Sequence, residues 1–85
     1  MDDLIAFRIL TADEIAASLA ALGEAAVRLS SPTTRLTASL SPAGILLERT
    51  SPAGPPLTHL IPMRDLGRKP AHLLVLEVER FARRP

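Results

Sequence analysis

Three Ser-Pro pairs recur at a ten-residue interval, Ser31-Pro32, Ser41-Pro42 and Ser51-Pro52, and the second and third are each followed by Ala-Gly. Proline pre-sets the first corner of a turn and glycine accepts the positive φ that closes one, so the repeat cuts the middle of the chain into strand-length pieces. Arg35 to Leu40 alternates polar and apolar residues, the pattern of a half-buried strand. Ser41-Pro42-Ala43-Gly44 fits a type I turn with glycine behind it, the chemistry of a three-residue hairpin loop. Residues 45–50 should then return antiparallel to 35–40. Leu57 to Ile61 reads as the next strand, with Pro62 confining its far end to an edge or a bulge.

The N-terminal third speaks in a different period. Leu4 to Leu10 is short and rich in large apolar side chains, which favours a strand. Thr11-Ala12-Asp13-Glu14 matches a capping box, in which hydroxyl and carboxylate each satisfy the other's backbone N–H, and a helix should start there. Its apolar stripe is Ile15, Leu19 and Leu22, with Ala16 and Ala26 extending the face if the helix runs on, and Gly23 is the expected stop. Val27 to Ser30 then reads as extended. His72 to Arg80 reads as a final strand, although residues 73–80 also fit a helix.

The expected architecture is α+β, a single domain over residues 1–85: one N-terminal helix packed on an antiparallel β-meander of about five to six strands, in the order strand, helix, meander. Several of those strands are apolar on both faces, as in Ile45-Leu46-Leu47 and Leu73-Leu74-Val75-Leu76. A single short helix covers one face of a sheet some 20 Å wide, about five strands at 4.8 Å spacing. The surplus apolar surface points to a partner. The expected interface is the sheet face or edge carrying Ile45, Leu47, Leu74 and Leu76, and the expected partner is a second copy of the chain or another protein.

Composition narrows the remaining classes. The longest run of large apolar residues, Leu73 to Leu76, is far short of the about 20 that a bilayer crossing needs. The acidic start Met1-Asp2-Asp3 does not resemble a secretory signal, so a cytoplasmic protein is expected. No cysteine is present to form a disulfide, a thiolate ligand or a nucleophile. The net charge of +1 conceals an asymmetry: residues 1–30 carry two arginines against five acids, whereas residues 57–85 carry six basic residues against three acids. Such a dipolar layout favours head-to-tail or paired association between copies, or contact of the basic end with an acidic partner.

No constellation for catalysis emerges. His59 and His72 could recruit Asp65, Glu77 or Glu79 for a metal, but none of the spacings is that of a metal site, and His59 is read as a half-buried side chain with one hydrogen bond. Glu77 and Glu79 would share one side of a strand as a solvated stripe. Serines are frequent but none sits in a Gly-x-Ser-x-Gly elbow, and the four glycines are isolated, so no phosphate-cradling loop exists. Neither an enzyme nor a cofactor is expected. The sharper rival is nucleic-acid binding through Arg64, Arg68, Lys69, Arg80, Arg83 and Arg84, opposed by the scarcity of rings, since Phe7 and Phe81 are the only two. Pro52-x-x-Pro55 fits a polyproline ligand, yet turn chemistry already accounts for those prolines.

Overall fold

The computed structural model describes residues 10–84. In chain order they form α1 (Ala12–Leu29), β1 (Arg35–Ser41), β2 (Gly44–Ser51), β3 (Gly54–Pro62), α2 (Met63–Arg68) and α3 (Ala71–Ala82). The strands make one antiparallel sheet in the order β1-β2-β3. The described residues thus hold three strands and three helices, which overturns the expected meander of five to six strands. The strand expected over Leu4 to Leu10 falls, but for Leu10, outside the described residues.

The start of α1 follows its cap. Glu14 donates its backbone N–H to Thr11 Oγ1 at 3.1 Å, and Thr11 donates its own to the Glu14 carboxylate at 3.4 Å. Its end does not follow the glycine. Leu22, Ala25, Ala26 and Leu29 continue the apolar face straight past Gly23, and burying that face outweighs a propensity cost of about 1 kcal/mol. Val27 to Leu29 is therefore helix rather than strand, and Ser30 closes it, its hydroxyl donating to Ala26 O at 2.8 Å. Nothing lies within 4 Å of a Cβ placed on Gly23. Gly23→Ala should accordingly raise stability by about 0.5–1 kcal/mol, read as a higher urea midpoint with unchanged slope; a lower midpoint would contradict the unstrained helix seen here.

The three Ser-Pro pairs all become turns. Ser31 Oγ accepts from the N–H groups of Thr33 and Thr34 at 3.3 and 3.1 Å, bending the chain from α1 into β1. Ser41 pairs with Gly44 across a two-residue loop, Pro42-Ala43, one residue tighter than expected. Ser51 and Gly54 close the second hairpin in the same way, with a register irregularity between Arg49 and Ser51.

The segment expected as a last strand is α3. Leu74, Val78 and Phe81 are buried at i, i+4 and i+7, a helical period that a strand would have split between two faces. The register places Leu36, Ala38, Ile45, Leu47, Leu57, His59 and Ile61 on one face of the sheet, where α1, α2 and α3 supply Leu22, Ala25, Ala26, Leu66, Leu74, Val78 and Phe81 to a common core. The opposite face carries Thr37, Ser39, Glu48 and Thr58 around one apolar cross-strand pair, Leu46 with Leu60. Two helices more than expected thus shelter the sheet. Ile45, Leu47 and Leu74 lie in the core of the single chain, whereas Leu76 remains at the surface with 38% of its area exposed. The first three are covered by the chain's own elements and present no surface to a partner.

Candidate functional site

Once α3 is helical, Leu73, Leu76, Glu77 and Arg80 fall at i, i+3, i+4 and i+7 and form a stripe beside the buried one. That stripe faces His59 of β3 and Lys69 of the α2–α3 link across an open groove of about 350 Å³. Phe81, buried, forms part of its lining, and Arg84 completes it.

The groove is chemically divided. At its centre Glu77 Oε2 lies 2.6 Å from His59 Nε2, and Glu77 Oε1 lies 3.5 Å from Lys69 Nζ. Lys69 also reaches Asp65 Oδ2 at 3.3 Å. The hydrogen bond to Asp65, and then the negative charges of Asp65 and Glu77, hold the Lys69 ammonium above its ordinary value of 10.5. A raised folded-state pKa means that these pairs persist through neutral pH and weaken only as pH climbs beyond 10.5. Arg80 has no carboxylate partner among the described residues, and Arg84 holds its guanidinium over the Phe81 ring, 5.5 Å from the centroid. His59 stacks on the same ring at 5.9 Å. Beside these cations the two leucines are open to solvent, Leu73 with 42% of its area exposed and Leu76 with 38%.

The structure sorts the residues singled out from sequence. Of the basic set it gathers Lys69, Arg80 and Arg84; Arg64 stands exposed 4.0 Å from Asp65, and Arg68 and Arg83 are exposed outside the groove. Glu77 and Glu79 do not share a strand side, because the helix turns them about 200° apart, and Glu77 alone lines the groove. His59 is half-buried with a single hydrogen bond, while His72 is exposed in the first turn of α3. Two residues have no site role in the sequence reading. Leu73 carries the helical signal, lying three residues before Leu76 and seven before Arg80, once the period 3.6 is applied in place of 2. Arg49 gives no local signal: it acts by reaching the end of α3, more than thirty positions away, where its guanidinium donates to the carbonyls of Phe81 and Ala82 at 3.1 Å each and to that of Arg84.

Among the described residues no group of three or more His, Asp and Glu is placed to hold a metal ion. No helix among them is long and apolar enough to cross a membrane. Comparisons of the chain with protein-family models, curated proteins and solved structures returned no match.

Proposed function

We propose that the protein is a non-catalytic interaction module that receives an acidic, amphipathic segment of a partner protein in the groove between β3 and α3. The observation that carries this reading is the pairing of two exposed leucines, Leu73 and Leu76, with two arginines, Arg80 and Arg84, that have no carboxylate partner among the described residues. His59 and Lys69 are already matched by Glu77 and Asp65, so the unmatched charge of the groove is positive. Apolar anchors beside unmatched cations suit a chain that alternates leucine-like and carboxylate side chains. The lining supports binding rather than turnover: it includes no hydroxyl or thiol side chain, and its lysine is held protonated.

Nucleic-acid binding is the second reading, favoured by the convergence of Lys69, Arg80 and Arg84. Glu77 and Asp65 lie among those cations and would repel phosphates, and the Phe81 ring is buried and offers no face for base stacking. Fluorescence anisotropy with three labelled probes separates the readings: a leucine-glutamate helix, its leucine-lysine counterpart, and a single-stranded oligonucleotide. The acidic peptide should bind, and Arg80→Glu with Arg84→Glu should weaken it by roughly tenfold or more, as should Leu73→Asp with Leu76→Asp. Equal binding of the lysine peptide would overturn the reading, and tight, salt-sensitive binding of the oligonucleotide would replace it with the second.

A further inference from the structure

We propose that two copies of the chain associate through the open edge of β1, paired antiparallel about a twofold axis at Ser39. This rests on no part of the groove reading. The two edges of the sheet are treated differently by the sequence. The β3 edge is bracketed by prolines, exposed Pro55 and Pro56 at its start and Pro62 at its end, which leave outward N–H groups only at Thr58 and Leu60 between them. The β1 edge, Arg-Leu-Thr-Ala-Ser-Leu-Ser, has no proline, no bulge and a single charge at its end. It has none of the usual devices that keep edges apart.

Which groups are open follows from Ser30. The Leu36 N–H donates to Ser30 Oγ at 2.9 Å, so it points away from β2, and the Ser30 hydroxyl occupies it. By strand alternation Ala38 and Leu40 also direct N–H and C=O outward, and no other described residue accepts from or donates to them. Two open residues with one between them define a single twofold register: Ala38 opposite Leu40 of the other copy, Ser39 opposite Ser39. Every open group then finds a partner, in two pairs each exchanging both N–H···O bonds. The only charge, Arg35, comes opposite Ala43, so no like charges meet.

The side chains agree with the register. Leu40, on the helix side of the sheet, has 51% of its area exposed and would pack beside Ala38 of the other copy, with the second Leu40 as its diagonal neighbour. Leu36 comes opposite Pro42 of the other copy, at the concavity that it lines with Val27, whose area is 74% exposed. The most exposed large apolar side chain of the sheet, Leu40, is therefore covered by the contact. A pairing of five strand residues per copy, 37–41, buries less than the roughly 1,600 Å² of a standard interface, so the dimer should be reversible and concentration-dependent.

Cysteine scanning tests this directly, because the chain has none of its own. Under mild oxidation Ser39→Cys should give a disulfide-linked dimer, whereas Thr37→Cys alone and Ser41→Cys alone should not, and a mixture of those two should link to each other. Sedimentation should show the wild type shifting from one to two chains with concentration. Ala38→Pro, which removes an outward N–H and leaves the β1–β2 ladder intact, should shift that transition at least about tenfold higher in concentration. Leu40→Lys, a charge on the edge, checks the same point should Ala38→Pro fail to fold. A monomer throughout the concentration range, or a dimer in which Ser39→Cys links no faster than Thr37→Cys, would overturn the proposal.

Discussion

Gly44→Ala should leave the protein largely unfolded under conditions where the wild type is native. Gly44 has φ +149°, and a Cβ there would stand 2.0 Å from Ile61 O, 2.9 Å from Met63 N and 3.0 Å from Ile61 C. All three are backbone atoms, and the corner is pinned because Met63 donates its N–H to Ala43 O at 2.9 Å. Neither the strand nor the turn can yield without breaking the β2–β3 ladder beside buried Ile45 and Ile61. The expected cost is about 4 kcal/mol or more, against a total that is often only about 5 kcal/mol in domains of this size. Gly54 occupies the equivalent place in the second Ser-Pro-Ala-Gly repeat, yet its φ is not positive and nothing lies within 4 Å of its Cβ. Gly54→Ala should cost less than about 1 kcal/mol. Urea titration of the two variants side by side reads the contrast, and equal destabilisation would show that the repeat, rather than the approach of β3, sets the need for glycine.

Arg49→Met is expected to cost about 2–3 kcal/mol while keeping most of the apolar stem. One guanidinium nitrogen of Arg49 serves the carbonyls of Phe81, Ala82 and Arg84, at and just beyond the end of α3 where helical N–H partners run out; of these, Phe81 O also accepts from the Arg84 N–H at 3.2 Å. Its positive charge also sits at the negative pole of α3 and 5.9 Å from the Phe81 ring centroid. The loss should be local first. Amide exchange should quicken across the last turns of α3 before it does in β1 or β2, and because α3 forms one wall of the groove, the acidic peptide should bind more weakly as well. Arg49→Lys keeps the charge without the planar head and should fall between the two. Uniform acceleration of exchange over the whole chain would argue that Arg49 acts on global stability rather than as the clasp of α3.

The parts of the fold that announce themselves in sequence are those written locally. The capping box at Thr11 and Glu14 sets the start of α1, and the Ser-Pro-Ala-Gly repeat sets both hairpins, so that β1, β2 and β3 appear near their expected positions. Gly23 misleads because its preference is a local term of about 1 kcal/mol, outweighed by a face that stays apolar through Leu29. Residues 73–80 mislead because four consecutive large apolar residues satisfy period 2 and period 3.6 alike. What decides between them is whether Leu74, Val78 and Phe81 have a common core to enter, and that core is assembled from α1 and the sheet. The groove inherits the same difficulty. Lys69, Glu77, Arg80 and Arg84 were visible as charges and His59 as a half-buried ring, but their meeting depends on α3 being a helix laid near β3. Ile45, Leu47 and Leu74 look like surplus surface in the sequence for the complementary reason: only the second and third helices, which period 2 does not reveal, cover them.

The prolines of β3 also bear on how far the proposed assembly would proceed. Pro56 and Pro62 bracket the outer margin of β3 and withhold donors at its two ends, so that only Thr58 and Leu60 keep outward N–H groups there. If the proposed pair forms through β1, lateral growth of its six-stranded sheet is confined to that short stretch, and crowding the protein should yield pairs well before filaments.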